Sequence, residues 1–419
     1  MTSARRRWLI FAVIALGYIL VYFHRLCAAV VATDMQRDLG ATGPLLGAMA
    51  SAYFWPYAFM QLPAGLLSDS FGPRRTISIF FVLAFIGSVV LALAPTVGIA
   101  ILGRTLVGLG VSMLFVPAIK ILAVWFNQRE FPVMTGVLVA IGGVGSLIAS
   151  GPLARLNILW GWRNSFLFIG GATLVFCGAV LLWVRDRPEG PVAESSRPQT
   201  AAELAATVRL ILHHRPFWPL AAWFFFECAI FFAFFGLWGG PFLHDVYHLG
   251  RAAAGDLLMM GAIGMIVGSP LLSFLSNRVF RGRKPVLIGA AALSTVLTIA
   301  LALDPGGYGR PALMAILFGL GLSTNAIVSV GFTAAKELFV VRMAGAATGL
   351  INLFPFLGGG LLQIFIGWLL GTAGPDGFSA RGWQMALVTL CGCAVIALVA
   401  SLLVRETLGR KPAGEGDKV

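Results

Sequence analysis

The stretch Gly65-Leu-Leu-Ser-Asp69-Ser-Phe-Gly-Pro-Arg74-Arg75 decides how the rest of this sequence is interpreted. It is a short charged segment between two strongly apolar ones, in a chain that is 58% hydrophobic and 11% charged, with a mean hydropathy of +0.90. This composition is typical of a chain that is embedded in lipid. We therefore expect a polytopic membrane protein in which this stretch joins two membrane helices.

The length of the apolar segments predicts how many helices cross the membrane. A hydrocarbon core of about 30 Å takes about 20 apolar residues per helix. This length gives twelve candidate spans, which begin near Trp8, Pro44, Thr76, Val97, Phe131, Ser165, Phe217, Ala252, Pro285, Pro311, Ala344 and Gln384.

Lys and Arg residues fall mainly in alternate loops, for example at Arg5 to Arg7, at Arg74 and Arg75, and from Arg281 to Lys284. Short loops rich in Lys and Arg stay in the cytoplasm. We therefore expect both termini to be cytoplasmic, in a bacterial-type inner (cytoplasmic) membrane. The net charge of +13 is explained by topology, and we expect no binding of nucleic acid.

The sequence divides at a polar stretch, residues 185–215, into an N-terminal six-helix bundle (1–184) and a C-terminal six-helix bundle (216–405), followed by a cytoplasmic tail (406–419). The halves repeat weakly. Four residues recur 213 positions later (339 − 126 = 213): Phe126, Arg129, Thr135 and Gly136 return as Phe339, Arg342, Thr348 and Gly349. Gly161-Trp162 likewise returns as Gly382-Trp383. Parallel repeats of this kind build the central site of many secondary transporters at their interface.

The charged stretch resembles the signature loop between helices two and three of the major facilitator superfamily. The segment Arg104-Thr-Leu-Val-Gly108-Leu-Gly110 resembles the fourth-helix motif of the same superfamily. The resemblance implies an all-α membrane protein with twelve transmembrane helices in two pseudo-symmetric six-helix bundles. Gating roles are expected for Asp69, Arg74, Arg75, Arg104 and Lys120. Arg74 and Arg75 could instead only fix topology, and Arg104 and Lys120 could extend to the membrane surface.

Residues 18 to 170 look like the anion:cation symporter branch, which includes hexuronate, sugar-acid and sialic-acid carriers. The stretches that carry this resemblance are Tyr22-Phe-His-Arg25, Ser51-Ala-Tyr53-Phe-Trp55-Pro-Tyr57, Gln61-Leu-Pro63, Phe115-Val-Pro117, Trp125-Phe126 and Gly161-Trp162-Arg163. In that branch the first-helix arginine binds the substrate carboxylate. The resemblance therefore implies that Arg25 binds substrate.

Helical spacing supports a substrate site around Arg25. Residues spaced i, i+4, i+7 share one face, and Tyr18, Tyr22 and Arg25 have this spacing. The guanidinium binds planar carboxylates bidentately. Other expected cavity residues are Tyr53, Tyr57 and Gln61 on helix two, with Asn325 and Asn352 in the second half. Tyrosines are also common at membrane interfaces, which is the competing interpretation of these phenols.

Two positions depart from the branch pattern. The branch usually has acids immediately before the first-helix arginine and five residues before the fourth-helix proline, where this chain has His24 and Ser112. Glu227, ten residues into helix seven, lies near the membrane centre and is a replacement for proton coupling. A buried hydrogen bond or recognition of a substrate amine are its alternatives. His24 is a second titratable candidate, or a packed histidine.

Phe231, Phe234 and Trp238 follow Glu227 on nearly one helical face and predict an aromatic wall. The leading interpretation is a secondary active transporter that takes up a small organic anion or carboxylate-bearing metabolite with protons by alternating access. The alternatives are an exporter of amphipathic compounds, suggested by the aromatic wall, and a receptor that does not transport. We expect no enzyme activity, no cofactor and no metal site, although His213-His214 and the group His244, Asp245, His248 imitate metal ligands. The partners expected are the substrate, protons and the lipid bilayer, and the chain is expected to function as a monomer.

Overall fold

The computed structural model describes residues 3–127, 130–188, 200–374 and 377–409. These residues form helices and no strand apart from one isolated bridge. Ten helices within these ranges are long and apolar enough to cross a membrane. Two further spans, at residues 43–71 and 131–160, are made of shorter helices, so the expected twelve-span all-α architecture is confirmed.

The first half contains six membrane spans. They are formed by helices Ser3–Leu26 and Ala28–Leu39 (span 1); Gly43–Ser51, Phe54–Phe59 and Pro63–Phe71 (span 2); Pro73–Ala92 (span 3); Val97–Ser112 and Phe115–Trp125 (span 4); Phe131–Ile148 with the first part of Gly151–Trp183 (span 5); and the second part of Gly151–Trp183 (span 6). Gly161, with φ 74° and ψ 163°, separates spans 5 and 6.

The second half contains the other six spans. They are formed by Phe217–Ala233, the π-helical turn Phe234–Trp238 and Gly239–Asp245 (span 7); Arg251–Phe274 and the π-helical turn Leu275–Val279 (span 8); Lys284–Leu303 (span 9); Arg310–Thr324, the π-helical turn Ile327–Gly331 and Phe332–Glu337 (span 10); Val341–Ile351 and Leu353–Leu370 (span 11); and Ala380–Leu403 (span 12).

Packing between the spans follows the same plan in both halves. Span 3 packs on spans 4 and 6, and span 1 packs on span 5; in the second half span 9 packs on span 12, and span 7 packs on span 11. The halves meet where span 2 crosses span 11 and where span 5 crosses span 8. We call the end at which span 1 begins the inner end, because the charge pattern predicts that it faces the cytoplasm, and we call the opposite end the outer end.

The turn between spans 2 and 3 is where the charged stretch lies. Gly72 has φ 82°, a backbone conformation that side-chain-bearing residues rarely adopt. Pro73 then opens span 3, where the missing N–H of proline has no helical partner to lose. The chain therefore reverses sharply at this point.

The polar stretch between the halves contains a helix that the sequence reasoning did not predict. Ala201–His213 begins with a reciprocal cap in which the Thr200 hydroxyl accepts from the Glu203 N–H and the Glu203 carboxylate accepts from the Thr200 N–H. The Thr-x-x-Glu spacing is a sequence signal for such a start. Residues 189–199 of this stretch, and 410–419 of the expected tail, lie outside the described residues.

Candidate substrate and coupling site

Arg25 lies at the interface between the halves with only 7% of its surface exposed. Its guanidinium carbon is 4.6 Å from the Tyr22 ring centre and 5.0 Å from that of Tyr57, both in the first half. From the second half, the rings of Phe356 and Phe232 are 5.0 Å and 5.7 Å away. Arg25 is therefore surrounded by four aromatic rings drawn from spans 1, 2, 7 and 11.

Arg25 forms no ion pair within the described part of the chain, and its Nε has no hydrogen-bond partner there. A buried cation without an acid is costly unless something compensates it. The faces of the surrounding rings supply part of that compensation through cation–π contacts. The Tyr53 and Tyr57 hydroxyls lie within hydrogen-bonding reach of the guanidinium, and the Nε–H is the donor left without a partner.

The tyrosines predicted for this site gather around Arg25. Tyr18 and Tyr22 lie with ring centres 5.4 Å apart, and Tyr53 and Tyr57 stack at 5.8 Å. The Tyr53 hydroxyl donates to the Val21 carbonyl at 3.4 Å, which ties span 2 to span 1. All four side chains are buried.

The predicted amide residues lie in contacts between helices. Asn352 Nδ2 donates to Gln61 Oε1 at 2.7 Å across the two halves, and Gln61 Nε2 donates to the Tyr57 carbonyl at 3.0 Å. Asn325 Nδ2 donates to the Met265 carbonyl between spans 10 and 8. A small cleft beside Asn325 is also lined by Tyr22, Gly143, Ile266 and Ser269.

Glu227 is fully buried in the second half, and the contacts of its carboxylate are with spans 9 and 10. Its Oε1 accepts a hydrogen bond from Ser294 Oγ, which lies 2.8 Å from Ser323 Oγ. Its Oε2 has no partner among the described residues. The sequence singled out Glu227 but not the two serines, which are ordinary residues in their own helices.

His24 points away from Arg25, as expected for adjacent helical positions. Its Nε2 lies 3.2 Å from the Thr173 hydroxyl of span 6, and its Nδ1 has no partner in the described residues. Arg104 is 2% exposed, and its Nη1 donates to the His24 carbonyl at 3.0 Å. Arg104 therefore binds the backbone of span 1 just before its break at Cys27 instead of reaching the membrane surface.

Residues of the charged stretch interact at the inner end. Lys120 Nζ lies 2.6 Å from Asp69 Oδ1 and donates to the Gly65 carbonyl at 2.8 Å, which joins spans 4 and 2. The Arg74 backbone N–H donates to Asp186 Oδ1 at 2.6 Å. Arg75 is exposed.

The aromatic wall of span 7 differs from the one predicted. Phe232 is the ring beside Arg25, whereas Phe231 packs on Phe235 at 4.8 Å. The Trp238 indole donates to the Gln363 carbonyl at 3.0 Å. The prediction assumed uniform α-helical spacing, but residues 234–238 form a π-helical turn, which changes the helical register from Phe234 onward and so affects Trp238. The turn does not account for Phe231, which precedes it.

Neither group of histidines forms a cluster that could hold a metal among the described residues. Asp245 instead accepts from the Trp383 indole at 3.1 Å and from the Phe378 N–H at 3.0 Å. Its counterpart Asp38 accepts from the Trp162 indole at 2.9 Å in the first half. The repeated Gly-Trp pair therefore makes the same contact in both halves.

Comparison with known proteins adds the following findings. The family model described as Major Facilitator Superfamily matches residues 14–361 and 239–418. The hexuronate transporter of Escherichia coli (strain K12) is 24% identical over 407 residues, with 93% of each chain covered. The probable sulfoacetate transporter SauU of Cupriavidus necator is 25% identical over 185 residues, which are 44% of this chain and 43% of that protein. A bacterial homologue of the human lysosomal transporter Spinster, solved inward-facing and unoccupied, has a similar fold with a TM-score of 0.76 at 17% identity, covering 95% of this chain and 98% of that one.

Proposed function

The chain belongs to the major facilitator superfamily, and from that membership we propose that it is a secondary active transporter of a small organic anion, most simply a carboxylate. It works by alternating access, in which the two halves rock about a central site. We place it in a cytoplasmic membrane with both termini inside the cell, acting as a monomer. The names of its relatives, a hexuronate and a probable sulfoacetate transporter, support an anionic substrate.

The observation that carries the proposal is the unpaired guanidinium of Arg25 between the halves. No acid of the described chain neutralises it, and rings from both halves surround it. An anion that binds there touches both halves at once. Closure around the bound anion then couples binding to the movement of one half against the other.

Glu227 is the group that we propose for proton coupling. Glu227 is fully buried, Ser294 Oγ donates to its Oε1 and in turn lies beside Ser323 Oγ, and its Oε2 has no partner among the described residues, which leaves that oxygen to hold a proton. Proton uptake at Glu227 would allow the carrier to reorient, and uptake into the cell is the expected direction. His24, with one free ring nitrogen, is the second candidate.

The contacts at the inner end suggest how reorientation is controlled. Asp69 and Lys120 tie span 2 to span 4, and Arg74 is held by Asp186 at the end of span 6. We assign gating to these residues, with Arg75 as a further surface charge. Arg104 is assigned to holding the break in span 1 beside the substrate site.

Transport by the purified protein in liposomes tests the proposal. A panel of carboxylates is tested for binding and for accumulation driven by an imposed proton gradient, with wild type, Arg25→Ala and Glu227→Gln. Loss of a charge-assisted bidentate contact should weaken binding by about tenfold to a hundredfold in Arg25→Ala. Glu227→Gln should still exchange substrate across the membrane but should not concentrate it. Arg310→Ala, which removes an exposed arginine, is the matched control.

Two outcomes would contradict the proposal. If only cationic or neutral amphipathic compounds bind, and the Arg25 and Glu227 variants behave like wild type, the exporter interpretation is preferred. If a carboxylate binds through Arg25 but never crosses a sealed bilayer, the protein is a receptor.

A further inference from the structure

The wall that faces Arg25 from the second half is made of aromatic rings. Phe232 and Phe356 stack with ring centres 5.7 Å apart and planes 16° from parallel. Phe356 also lies 4.2 Å from Tyr57, and Phe54 lies 5.1 Å from Phe232. If Arg25 binds the carboxylate group of a substrate, the rest of the substrate molecule would therefore lie between aromatic rings from both halves.

Several polar side chains of the second half already make hydrogen bonds, although Gln363 Oε1 and Glu227 Oε2 are buried acceptors without a partner among the described residues. Asn352 binds Gln61, and Asn325 binds a backbone carbonyl of span 8. Gln363 Nε2 donates to the Phe232 carbonyl at 2.8 Å. Ser294 is bound to Glu227. These groups hold helices together, and a ligand that needed them would have to break those contacts.

We infer that the substrate is a monocarboxylate with an aromatic or otherwise apolar body and not a polyhydroxylated sugar acid, an inference that rests on the proposed binding of the carboxylate by Arg25. Each sugar hydroxyl placed against these rings would lose its hydrogen bonds to water without replacement. An aromatic ring there would bury apolar surface and pack edge-to-face or offset on Phe232 and Phe356. The tyrosine hydroxyls of the first half lie beside the carboxylate end.

This substrate class departs from the one named for the hexuronate transporter, although that protein aligns with 93% of the chain. A site built to hydrogen-bond its ligand strongly rejects an analogue that lacks the bonding group, whereas an apolar wall disfavours an added hydroxyl more weakly, by about a hundredfold or less. Substrate specificity therefore depends on the side chains that surround Arg25 and not on the shared fold.

Isothermal titration of the purified full-length protein tests the inference with three probes. Phenylacetate carries the charge and the ring, D-glucuronate carries the charge and a polyol, and phenylacetamide carries the ring without the charge. We expect phenylacetate to bind at least about tenfold more tightly than either of the other two probes. Arg25→Ala should remove the advantage of phenylacetate over phenylacetamide.

A ring substitution provides the matched variant. Phe356→Leu should weaken phenylacetate binding by about threefold to tenfold, because the stacked ring is lost while an apolar side chain remains. Phe354→Leu is the control, because the Phe354 ring packs on Phe217 and Trp218, away from Arg25.

The outcomes separate the two proposals. Tighter binding of D-glucuronate than of phenylacetate, lost in Arg25→Ala, would overturn the apolar substrate class and leave the anion transporter intact. Equal binding of phenylacetate and phenylacetamide, or carboxylate binding that survives in Arg25→Ala, would overturn the role of Arg25 and both proposals with it. The comparison among the three probes is made on the wild-type protein, so the ranking of the probes does not depend on whether a variant folds.

Discussion

At the scale of single residues, Arg25 acts through its shape as well as its charge. The planar guanidinium lies against the rings of Tyr22 and Tyr57, and its Nε–H has no partner among the described residues. A lysine ammonium carries the same charge, but it has no planar face that stacks on a ring and cannot donate two parallel hydrogen bonds to one carboxylate. The distinction gives a prediction that separates geometry from electrostatics.

We expect Arg25→Lys to bind the carboxylate about tenfold less tightly than wild type but more tightly than Arg25→Ala, because attraction to the charge remains while the bidentate contact is lost. Titration calorimetry on wild type, Arg25→Lys and Arg25→Ala measures the order of their affinities for the carboxylate. Equal affinity of Arg25→Lys and wild type would mean that charge alone attracts the substrate.

At the scale of helices, two carboxylates occupy corresponding places at the inner end. Asp186 accepts from the Arg74 N–H at the start of span 3, and Glu406 accepts from the N–H groups of Arg283 at 2.9 Å and Lys284 at 3.1 Å at the start of span 9. The first N–H groups of a helix have no partner within it, and a negative charge there is favourable. Each half therefore closes one helix start with an acid that follows its last span.

The Glu406 cap gives a prediction with a pH dependence. Burial alone raises the pKa of Glu406, but the N–H donors of Arg283, Leu408, Lys284 and Thr407 outweigh burial and lower that pKa. Because the folded-state pKa is the lower one, the stabilisation is present above the unfolded-state value and is lost as pH falls through the folded-state value. Thermal unfolding of Glu406→Gln should show a midpoint about 1 °C below wild type at pH 7, for a loss of about 1 kcal/mol in a chain of 419 residues. The difference should shrink toward zero as the pH falls below about 4. A deficit that is unchanged in acid would rule out this electrostatic origin.

Glycines allow spans 2 and 11 to cross closely at the outer end. A Cβ added at Gly47 would lie 2.5 Å from the Gln363 carbonyl oxygen, and one at Gly367 would lie 2.3 Å from the Gly43 carbonyl oxygen. The Gly43 N–H donates to the Gly371 carbonyl at 2.7 Å across the same crossing. The backbones of the two halves are thus in direct contact.

We expect Gly47→Val to separate the outer ends of the halves, because a backbone oxygen cannot move away as a flexible side chain can. Spin labels attached at Pro95, in an exposed outer loop of the first half, and at Arg310, the exposed first residue of span 10, report the distance by pulsed electron resonance. Gly178→Val, at a glycine with no atom near its added Cβ, is the control. An unchanged distance distribution in Gly47→Val would mean that this crossing does not hold the outer end closed.

At the scale of the whole molecule, the sequence predicted the architecture better than the site. Each helix that crosses the lipid bilayer needs a long apolar segment, and Lys and Arg fall mainly in alternate loops. The starts of the twelve spans could therefore be placed to within a few residues. Tyr22 and Arg25 share a helix, so their proximity followed from spacing alone. Phe232 and Phe356 reach Arg25 only because the two halves meet, and no local pattern encodes that distance. The serines beside Glu227 were missed because they lie on other helices of the same half, and no local pattern in the sequence encodes that contact.

Ion pairs join the halves at the outer end. Asp34, with a side chain 7% exposed, accepts from Asn157 at 2.6 Å and also pairs with Arg251 of the second half. Arg155 of span 5 binds Asp256 of span 8 through two hydrogen bonds of 2.8 Å and 3.0 Å. These contacts join the two halves at the outer end and would be lost if the halves separated there, so we expect them to stabilise the closed outer end.

The Arg155–Asp256 pair can be tested without confusing gating with folding. Arg155→Asp places two acids opposite each other and should shift the population toward outward-open molecules by about tenfold, seen as a longer distance between labels at Pro95 and Arg310. Adding Asp256→Arg restores an ion pair of reversed polarity and should return the distance distribution toward wild type. A double variant as open as the single one would show that the charges act separately and that this pair does not hold the halves together. Restoration would identify the pair as an energetic link between them, because neither substitution alone explains it.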